Sequence, residues 1–225
     1  MSTWTKKIVT DVNFNSSHPP MWPNEFLVKL ISSSAYSEIK DSVGDSPKAL
    51  EVGIFAGNNA RMLRDEGYQV FGSEINQEMV DLGMQSLENM GITDVEIRLG
   101  SNTLLDYSDD YFDLLVSINT IHYSSGDDIF KAIDEFRRVL KPGGFAVIET
   151  PSERHYARRN SQRISEFVWE WKAGGFREGS HMGFFDNDEH LKASLSKAFS
   201  KTTILSRSEQ FELRELAWWV SVCQK

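Results

Sequence analysis

The chain has 225 residues, of which 40% are hydrophobic and 25% charged, and this length suits one domain with a full hydrophobic core. Its 33 acidic and 24 basic side chains give a net charge of −9, which argues against a binder of nucleic acid or of an anionic membrane. The single cysteine, Cys223, excludes a disulfide framework and a multi-cysteine metal site, and we expect no bound metal.

Residues 1–40 are predicted to form an N-terminal arm followed by one helix. Residues 1–23 show little periodicity, contain several prolines and lack the apolar run of a secretory signal. From Asn24 to about Lys40 apolar residues recur at helical spacing, which predicts an amphipathic helix. No apolar run in the chain approaches the roughly 20 residues that span a bilayer, so we expect a soluble, cytoplasmic protein.

Short buried strands alternate with amphipathic helices over residues 41–150. This alternation predicts a Rossmann-like, doubly wound α/β fold, in which a mostly parallel sheet is covered by helices on both faces. The predicted strands are Ala49–Phe55, Tyr68–Gly72, Val95–Leu99, Phe112–Ile118 and Phe145–Glu149. The predicted helices are one ending near Glu66, one over Gln77–Met90 and one that Ser125 and Asp128 open as a capping box.

Residues 151–190 break this rhythm and are predicted to be an insertion. They are rich in arginine, glycine and aromatic residues, with a helix expected around Ser161–Trp171. Residues 191–225 are expected to complete the sheet, with a helix over Asp188–Phe199 and a hairpin of strands Thr202–Ser206 and Leu216–Val222.

The first predicted strand ends in a turn of small residues that opens a helix. Helix N-termini present unpaired amides and a partial positive charge, and Gly53 and Gly57 let a ligand approach the backbone. The second strand ends about 20 residues later at Glu74, where a carboxylate can accept hydrogen bonds from both hydroxyls of a ribose. These features predict a nucleoside-containing ligand. A dinucleotide fingerprint starting at Gly53 would need glycine where Phe55 and Asn58 stand, which argues against a nicotinamide oxidoreductase.

Five motifs, in order and at matching spacing, resemble the class I S-adenosylmethionine-dependent methyltransferases of the small-molecule type. The resemblance covers roughly Ala49–Thr150 and implies a seven-stranded sheet with a C-terminal antiparallel hairpin. It makes residues 41–150 the cofactor-binding core and residues 151–190 the substrate-recognition segment. The motifs are Glu51, Gly53 and Gly57 in the first turn, Glu74 after strand two, Leu99-Gly100-Ser101 after strand three, Tyr111–Val116 as strand four and Arg138–Gly144 before strand five.

The resemblance also implies S-adenosylmethionine as cofactor, S-adenosylhomocysteine as product, and a set of residues that bind them. Two positions depart from the family. Phe55 stands where the family has its middle glycine, so its ring must turn away from the ligand or reshape the loop, and Ser101 stands where many members have an aspartate. The implied cofactor-binding residues are Glu51, Gly53, Phe55 and Gly57 near the methionine end, Glu74 with Ile75 at the ribose, Gly100, Ser101 and Asn102 along the adenine, and Asn119 under the cofactor.

His122, which follows strand four, is the candidate catalytic residue. A sulfonium methyl is already an activated electrophile, so the protein mainly has to orient the acceptor, and a general base is needed only where the acceptor loses a proton. Histidine titrates near neutral pH and suits that role. The alternative is that His122 only packs against the cofactor.

Substrate recognition is assigned to the arm and the insertion. Trp22 would cover the pocket, or would simply staple the arm to the sheet. Arg154, His155 and Arg158 belong to a local positive patch, and guanidinium groups suit a carboxylate or phosphate. The patch therefore predicts an anionic or sugar-like acceptor, although a solvated helix face would give the same pattern.

We predict a methyltransferase, a monomer or homodimer, that acts on an oxygen or nitrogen of a small molecule. One alternative is a protein-directed methyltransferase. A nucleic-acid-directed enzyme is disfavoured because Asn119-Thr120-Ile121-His122 stands where such enzymes carry Asn-Pro-Pro-aromatic. A non-catalytic S-adenosylmethionine-binding module is a further alternative, which Phe55 motivates.

Overall fold

Strands and helices alternate along the chain in the computed structural model, which describes residues 22–41, 44–174, 177–212 and 214–225. The strands are β1 (Lys48–Val52), β2 (Gln69–Glu74), β3 (Glu96–Leu99), β4 (Phe112–Ile118), β5 (Leu140–Pro151), β6 (Ser161–Ser165), β7 (Val168–Trp171), β8 (His181–Met182), β9 (Lys201–Phe211) and β10 (Arg214–Gln224). The helices are α1 (Glu25–Ser32), α2 (Ser37–Asp41), α3 (Asn58–Asp65), α4 (Gln77–Asn89), α5 (Asp128–Val139), α6 (Tyr156–Arg159) and α7 (Asp188–Leu195), with 3₁₀ turns at Ser34–Tyr36 and Ile121–Tyr123.

The central sheet has seven strands in the order β3-β2-β1-β4-β5-β10-β9. All neighbours pair in parallel except β10, which runs antiparallel to both β5 and β9. This topology confirms the predicted mostly parallel seven-stranded sheet with a C-terminal hairpin. The chain order reverses between β1 and β4, and open α/β sheets bind ligands at the carboxyl ends of strands beside such a reversal.

Alternate side chains of the sheet enter two hydrophobic cores, one on each face. Leu115 of β4 packs with Phe136 of α5 on one face, while Val116 packs with Leu30 of α1 on the other. All four side chains are almost fully buried, and burial of each contributes about 1.5–3 kcal/mol. The two cores hold the strands in register and so fix where their carboxyl ends lie. None of the helices in the described segments is long and apolar enough to cross a membrane.

The predicted single helix from Asn24 to about Lys40 is wrong in its length. α1 starts as predicted, because the Asn24 side chain accepts the Leu27 N–H at 3.0 Å, but it ends at Ser32. Ser33 has an extended backbone, and a 3₁₀ turn follows. The run Ser32–Ser34 explains the break, because serine hydroxyls compete for the hydrogen bonds of the helical backbone.

The predicted helix around Ser161–Trp171 is also wrong, since this segment forms β6 and β7. The two strands pair antiparallel, and β8 adds a third strand to this small second sheet. The segment Val168–Trp171 is rich in β-branched and aromatic residues, which favour strands.

Several predicted boundaries shift. β5 begins at Leu140, so most of the segment Arg138–Gly144 that was predicted to precede it belongs to the strand, and β9 is longer than predicted. Three further shifts lie where the chain turns. β1 ends at Val52 instead of Phe55, so the turn begins at Gly53. No side chain caps α5, and Asp127 occupies its N-cap in place of Ser125. The third shift is in α7, which ends at Leu195 instead of Phe199.

Candidate active site

A cleft of about 390 Å³ opens at the carboxyl ends of β1, β2 and β4, beside the reversal in strand order. Its volume falls within the usual range for small-molecule sites. The sequence-predicted residues that line it are Gly53, Phe55, Glu74, Ile75, Gly100, Asn102 and Asn119. Glu51, Gly57 and Ser101 are not among the lining residues.

The turn after β1 is built on glycine at two positions. Gly53 has a φ of 73°, and a Cβ placed there would lie 2.6 Å from Thr120 Oγ1. Gly57, with a φ of 78°, is the N-cap of α3, and its Cβ would lie 2.5 Å from Leu87 Cδ2. Both positions combine a left-handed backbone with a close neighbour, so only glycine fits without rearrangement.

Phe55 and Glu74 together shape the middle of the cleft. Phe55 also has a left-handed backbone, with a φ of 50°, which costs a non-glycine residue about 1–2 kcal/mol. Its N–H donates to Glu74 Oε1 at 2.8 Å, and the Ile75 N–H donates to Oε2 at 3.2 Å. Burial raises the pKa of Glu74, and these two hydrogen bonds oppose that shift. Each carboxylate oxygen keeps a further lone pair for a ligand hydroxyl.

Glu51 lies buried beneath the same turn. Its Oε1 accepts a hydrogen bond from Asn59 Nδ2 at 2.7 Å, whereas Oε2 has no partner among the described residues. Burial raises the pKa of Glu51 to about 8, so the carboxyl is mostly protonated at neutral pH. Asn59 Oδ1 in turn accepts the Asn24 N–H at 2.8 Å, which ties the start of α1 to the turn.

Replacing Glu51 with glutamine is expected to flatten the pH dependence of stability. The folded pKa of about 8 lies above the ordinary value of 4.5, so the folded protein holds a proton that the unfolded chain loses between these values. Stability therefore falls as the pH rises through this window. Urea unfolding at pH 5 and pH 8 should show a smaller loss of unfolding free energy for Glu51→Gln than for the wild type. Equal losses would contradict the raised pKa.

The predicted adenine end is closed by hydrogen bonds between loops. Asn102 Nδ2 donates to Thr120 O at 3.3 Å and to Ser124 Oγ at 3.0 Å, which joins the loop after β3 to the loop after β4. The Ser101 hydroxyl lies 3.0 Å from that of Thr103. Ile75 lines the cleft and is 56% exposed, which leaves an apolar surface for a planar ring.

Several residues that line the cleft were not predicted from the sequence. Thr120 and Tyr123 lie at the two ends of the 3₁₀ turn after β4, which brings them to the cleft. The others lie in the last residues of β1, β2 and β4 or in the first turn of α4, and only their position at those strand ends could have indicated them. They are Val52, Ser73, Met79 and Ile118.

His122 lies buried beside the cleft but is not a lining residue. Its ring centroid is 4.2 Å from that of Tyr123, and it stacks on Phe184 at 6.5 Å. Burial, with the nearby Arg177 charge, lowers the pKa of His122 to about 3. Its Nδ1 has no hydrogen-bond partner among the described residues. These surroundings favour the packing role over the role of general base.

His155 is a neutral imidazole with a defined tautomer. Its Nδ1 accepts the Ala157 N–H at 3.0 Å, so the ring proton resides on Nε2. Burial lowers the pKa of His155 to about 4, and the nearby Arg177 charge adds to the shift. The ring lies edge-on to Trp218, with centroids 5.2 Å apart.

The predicted arginine patch is offset by acidic neighbours. Arg154 forms an ion pair with Glu215 at 3.5 Å, and Arg158 forms one with Asp186 at 3.3 Å. Trp22 is 84% exposed and does not line the cleft. The patch is therefore less positive than the sequence suggests.

Comparison with known proteins shows which domains this chain resembles. Residues 50–148 match the family description Methyltransferase domain. This segment is therefore similar to methyltransferase domains. The resemblance inferred from the five motifs is thereby confirmed.

Proteins similar to this chain occur in several bacteria. The uncharacterised methyltransferase YcgJ of Bacillus subtilis is 24% identical over 173 residues, which are 76% of this chain and 60% of that protein. The ubiquinone/menaquinone biosynthesis C-methyltransferase UbiE of Hydrogenovibrio crunogenus is 38% identical over 78 residues, which are 34% of this chain and 30% of that protein. In both cases the match spans less than two thirds of the relative.

Solved structures with low sequence identity have the same fold as this chain. An S-adenosylmethionine-dependent methyltransferase from Methanosarcina mazei superimposes with a TM-score of 0.66 at 20% identity, covering 83% of this chain and 96% of that one.

Proposed function

We propose that this chain binds S-adenosylmethionine in the cleft and transfers its methyl group to an oxygen or nitrogen of a small anionic or sugar-like molecule. The observation that carries the proposal is Glu74, a buried carboxylate held by two backbone N–H groups at the end of β2. A carboxylate so placed can accept hydrogen bonds from two vicinal hydroxyls.

The donor and acceptor groups of the cleft fit this cofactor. Glu74 would hold the ribose, Ile75 would cover one face of the adenine, and Gly53 would let the backbone approach the methionine end. The buried Glu51 Oε2, which has no hydrogen-bond partner among the described residues, supplies a further polar atom beneath that end. When bound, the cofactor supplies a sulfonium methyl that needs no further activation.

The protein's share of the catalysis is orientation and exclusion of water. A base with a pKa of about 3 removes protons poorly at neutral pH, so His122 is better suited to packing than to deprotonating an acceptor. His155 carries its ring proton on Nε2, but it is buried and is not among the residues that line the cleft. The proposal therefore favours acceptors whose reacting atom is already nucleophilic at neutral pH.

The acceptor class is tested with a panel of small molecules and a readout of S-adenosylhomocysteine formation. Carboxylates, including sugar acids, are expected to turn over, whereas their neutral analogues are not. Turnover confined to neutral acceptors, or to carbon atoms, would contradict the proposal. Turnover only of proteins would favour the protein-directed alternative, and cofactor binding without turnover of any acceptor would favour a non-catalytic module.

A further inference from the structure

A buried ion pair joins the edge strand β9 to β5, across β10, on the face of the sheet that carries α1. Arg207 of β9 donates from Nε to Glu149 Oε2 of β5 at 2.8 Å. The Glu149 side chain is fully buried, and that of Arg207 is 17% exposed. Buried ion pairs contribute little net stability, because desolvation offsets the attraction between the charges. This pair therefore calls for an explanation other than stability.

The guanidinium group of Arg207 also covers an indole ring. Its Cζ lies 3.9 Å from the ring centroid of Trp218, which is opposite Arg207 in the β9–β10 register. Trp218 is also opposite Pro151 of β5. The Arg207 guanidinium thus covers the indole ring, and the backbone of Trp218 is held by pairing with both β5 and β9.

Trp218 in turn restrains Asn119, a residue that lines the cleft. Its Nε1–H donates to Asn119 Oδ1 at 2.9 Å, and Asn119 lines the cleft with a left-handed φ of 55°. An indole N–H can only donate, so the amide of Asn119 must direct its oxygen toward Trp218. The NH₂ group is then the end of the amide that remains for a ligand.

The position of Asn119 indicates which part of a ligand this NH₂ group meets. Thr120, the next residue, lies against Gly53 in the turn after β1, on the side of the cleft that leads to Glu51. Glu74 and Ile75 mark the ribose and adenine side. The amino-acid end of S-adenosylmethionine carries a carboxylate, which accepts hydrogen bonds from an amide NH₂ group.

We propose that Arg207 and Trp218 are positioning residues that hold Asn119 so that its NH₂ group binds the carboxylate at the amino-acid end of the cofactor. This inference rests on the proposed function. It assigns a role to residues on β9 and β10 that lie far from the cofactor motifs in sequence.

The test compares two ligands by calorimetric titration: S-adenosylhomocysteine, and methylthioadenosine, which lacks the amino-acid end. Asn119→Asp keeps an oxygen for Trp218 but replaces the donor with a carboxylate oxygen. We expect it to weaken S-adenosylhomocysteine binding at least about tenfold, and to leave methylthioadenosine binding unchanged. Trp218→Phe and Arg207→Met, which leave the amide less constrained, should each weaken S-adenosylhomocysteine binding a few-fold with the same ligand selectivity.

Lys141→Met is the matched control. Lys141 forms a partly buried ion pair with Asp113 at 2.8 Å. The pair lies where β4 and β5 begin, at the amino ends of the strands, and the cleft lies at their carboxyl ends. Lys141→Met should leave the affinities for S-adenosylhomocysteine and for methylthioadenosine unchanged. Equal affinities of Asn119→Asp and wild type for S-adenosylhomocysteine would overturn the inference, as would equal losses for the two ligands. If Asn119→Asp does not fold, Trp218→Phe replaces it in the test. Unchanged affinity of Trp218→Phe for S-adenosylhomocysteine, or equal losses for the two ligands, would then overturn the inference. Failure of the wild type to bind S-adenosylhomocysteine would instead refute the proposed function.

Discussion

Replacing Glu74 with alanine is expected to weaken S-adenosylhomocysteine binding by about 1–3 kcal/mol, the scale of lost hydrogen bonds to a charged group. Two losses combine, since the ribose hydroxyls lose their acceptor and the Phe55 N–H loses its partner at 2.8 Å. Glu74→Gln keeps one carbonyl oxygen and should lie between alanine and wild type. Isothermal titration of the three proteins measures the differences.

Glu78→Ala is the control for the Glu74 substitution. Glu78 is an exposed carboxylate in the first turn of α4, four positions further along the chain, so its removal changes the net charge equally. The affinity of Glu78→Ala for S-adenosylhomocysteine should equal that of the wild type. Unchanged affinity in Glu74→Ala would remove the ribose role from this residue.

Replacing Gly53 with alanine is expected to destabilise the protein and to weaken cofactor binding together. The new Cβ would lie 2.6 Å from Thr120 Oγ1 and 2.7 Å from its Cγ2, and the φ of 73° is strained for alanine. The backbone strain alone costs about 1–2 kcal/mol, and the clash adds to it. Urea unfolding and titration with S-adenosylhomocysteine measure both effects.

Gly91→Ala separates strain from clash. Gly91 has a φ of 74° but nothing within 4 Å of a Cβ, so it should show the strain without the loss of binding. Adding Thr120→Ala to Gly53→Ala removes the atoms that clash and should restore part of the stability. If Gly53→Ala binds and unfolds like Gly91→Ala, the close packing of the turn against Thr120 does not govern the site.

Strong local patterns made most of the sheet predictable. The strand Phe112–Ile118 was predicted to the residue because it is a continuous buried run, as parallel strands covered on both faces usually are. The segment Ser161–Trp171 was not, because its strands belong to a small sheet of mixed exposure whose pairing partners lie elsewhere in the chain. Segments this short contain too few residues for the spacing of their apolar side chains to distinguish a strand from a helix.

The cofactor side of the site was predictable for a different reason. Gly53 and Glu74 lie at strand ends, where both residue type and spacing carry chemical meaning. The surroundings of His122 were not predictable, because its burial comes from contacts such as that with Phe184, which is distant in sequence. The same holds for Arg154, whose charge is offset by Glu215 of β10.

The most direct test of the central claim is isothermal titration of the purified wild-type chain with S-adenosylhomocysteine at neutral pH. The site described here predicts one binding site with a dissociation constant in the roughly micromolar range, or about −8 kcal/mol. Absence of binding at millimolar ligand to a folded protein, in the presence as well as the absence of candidate acceptors, would contradict it.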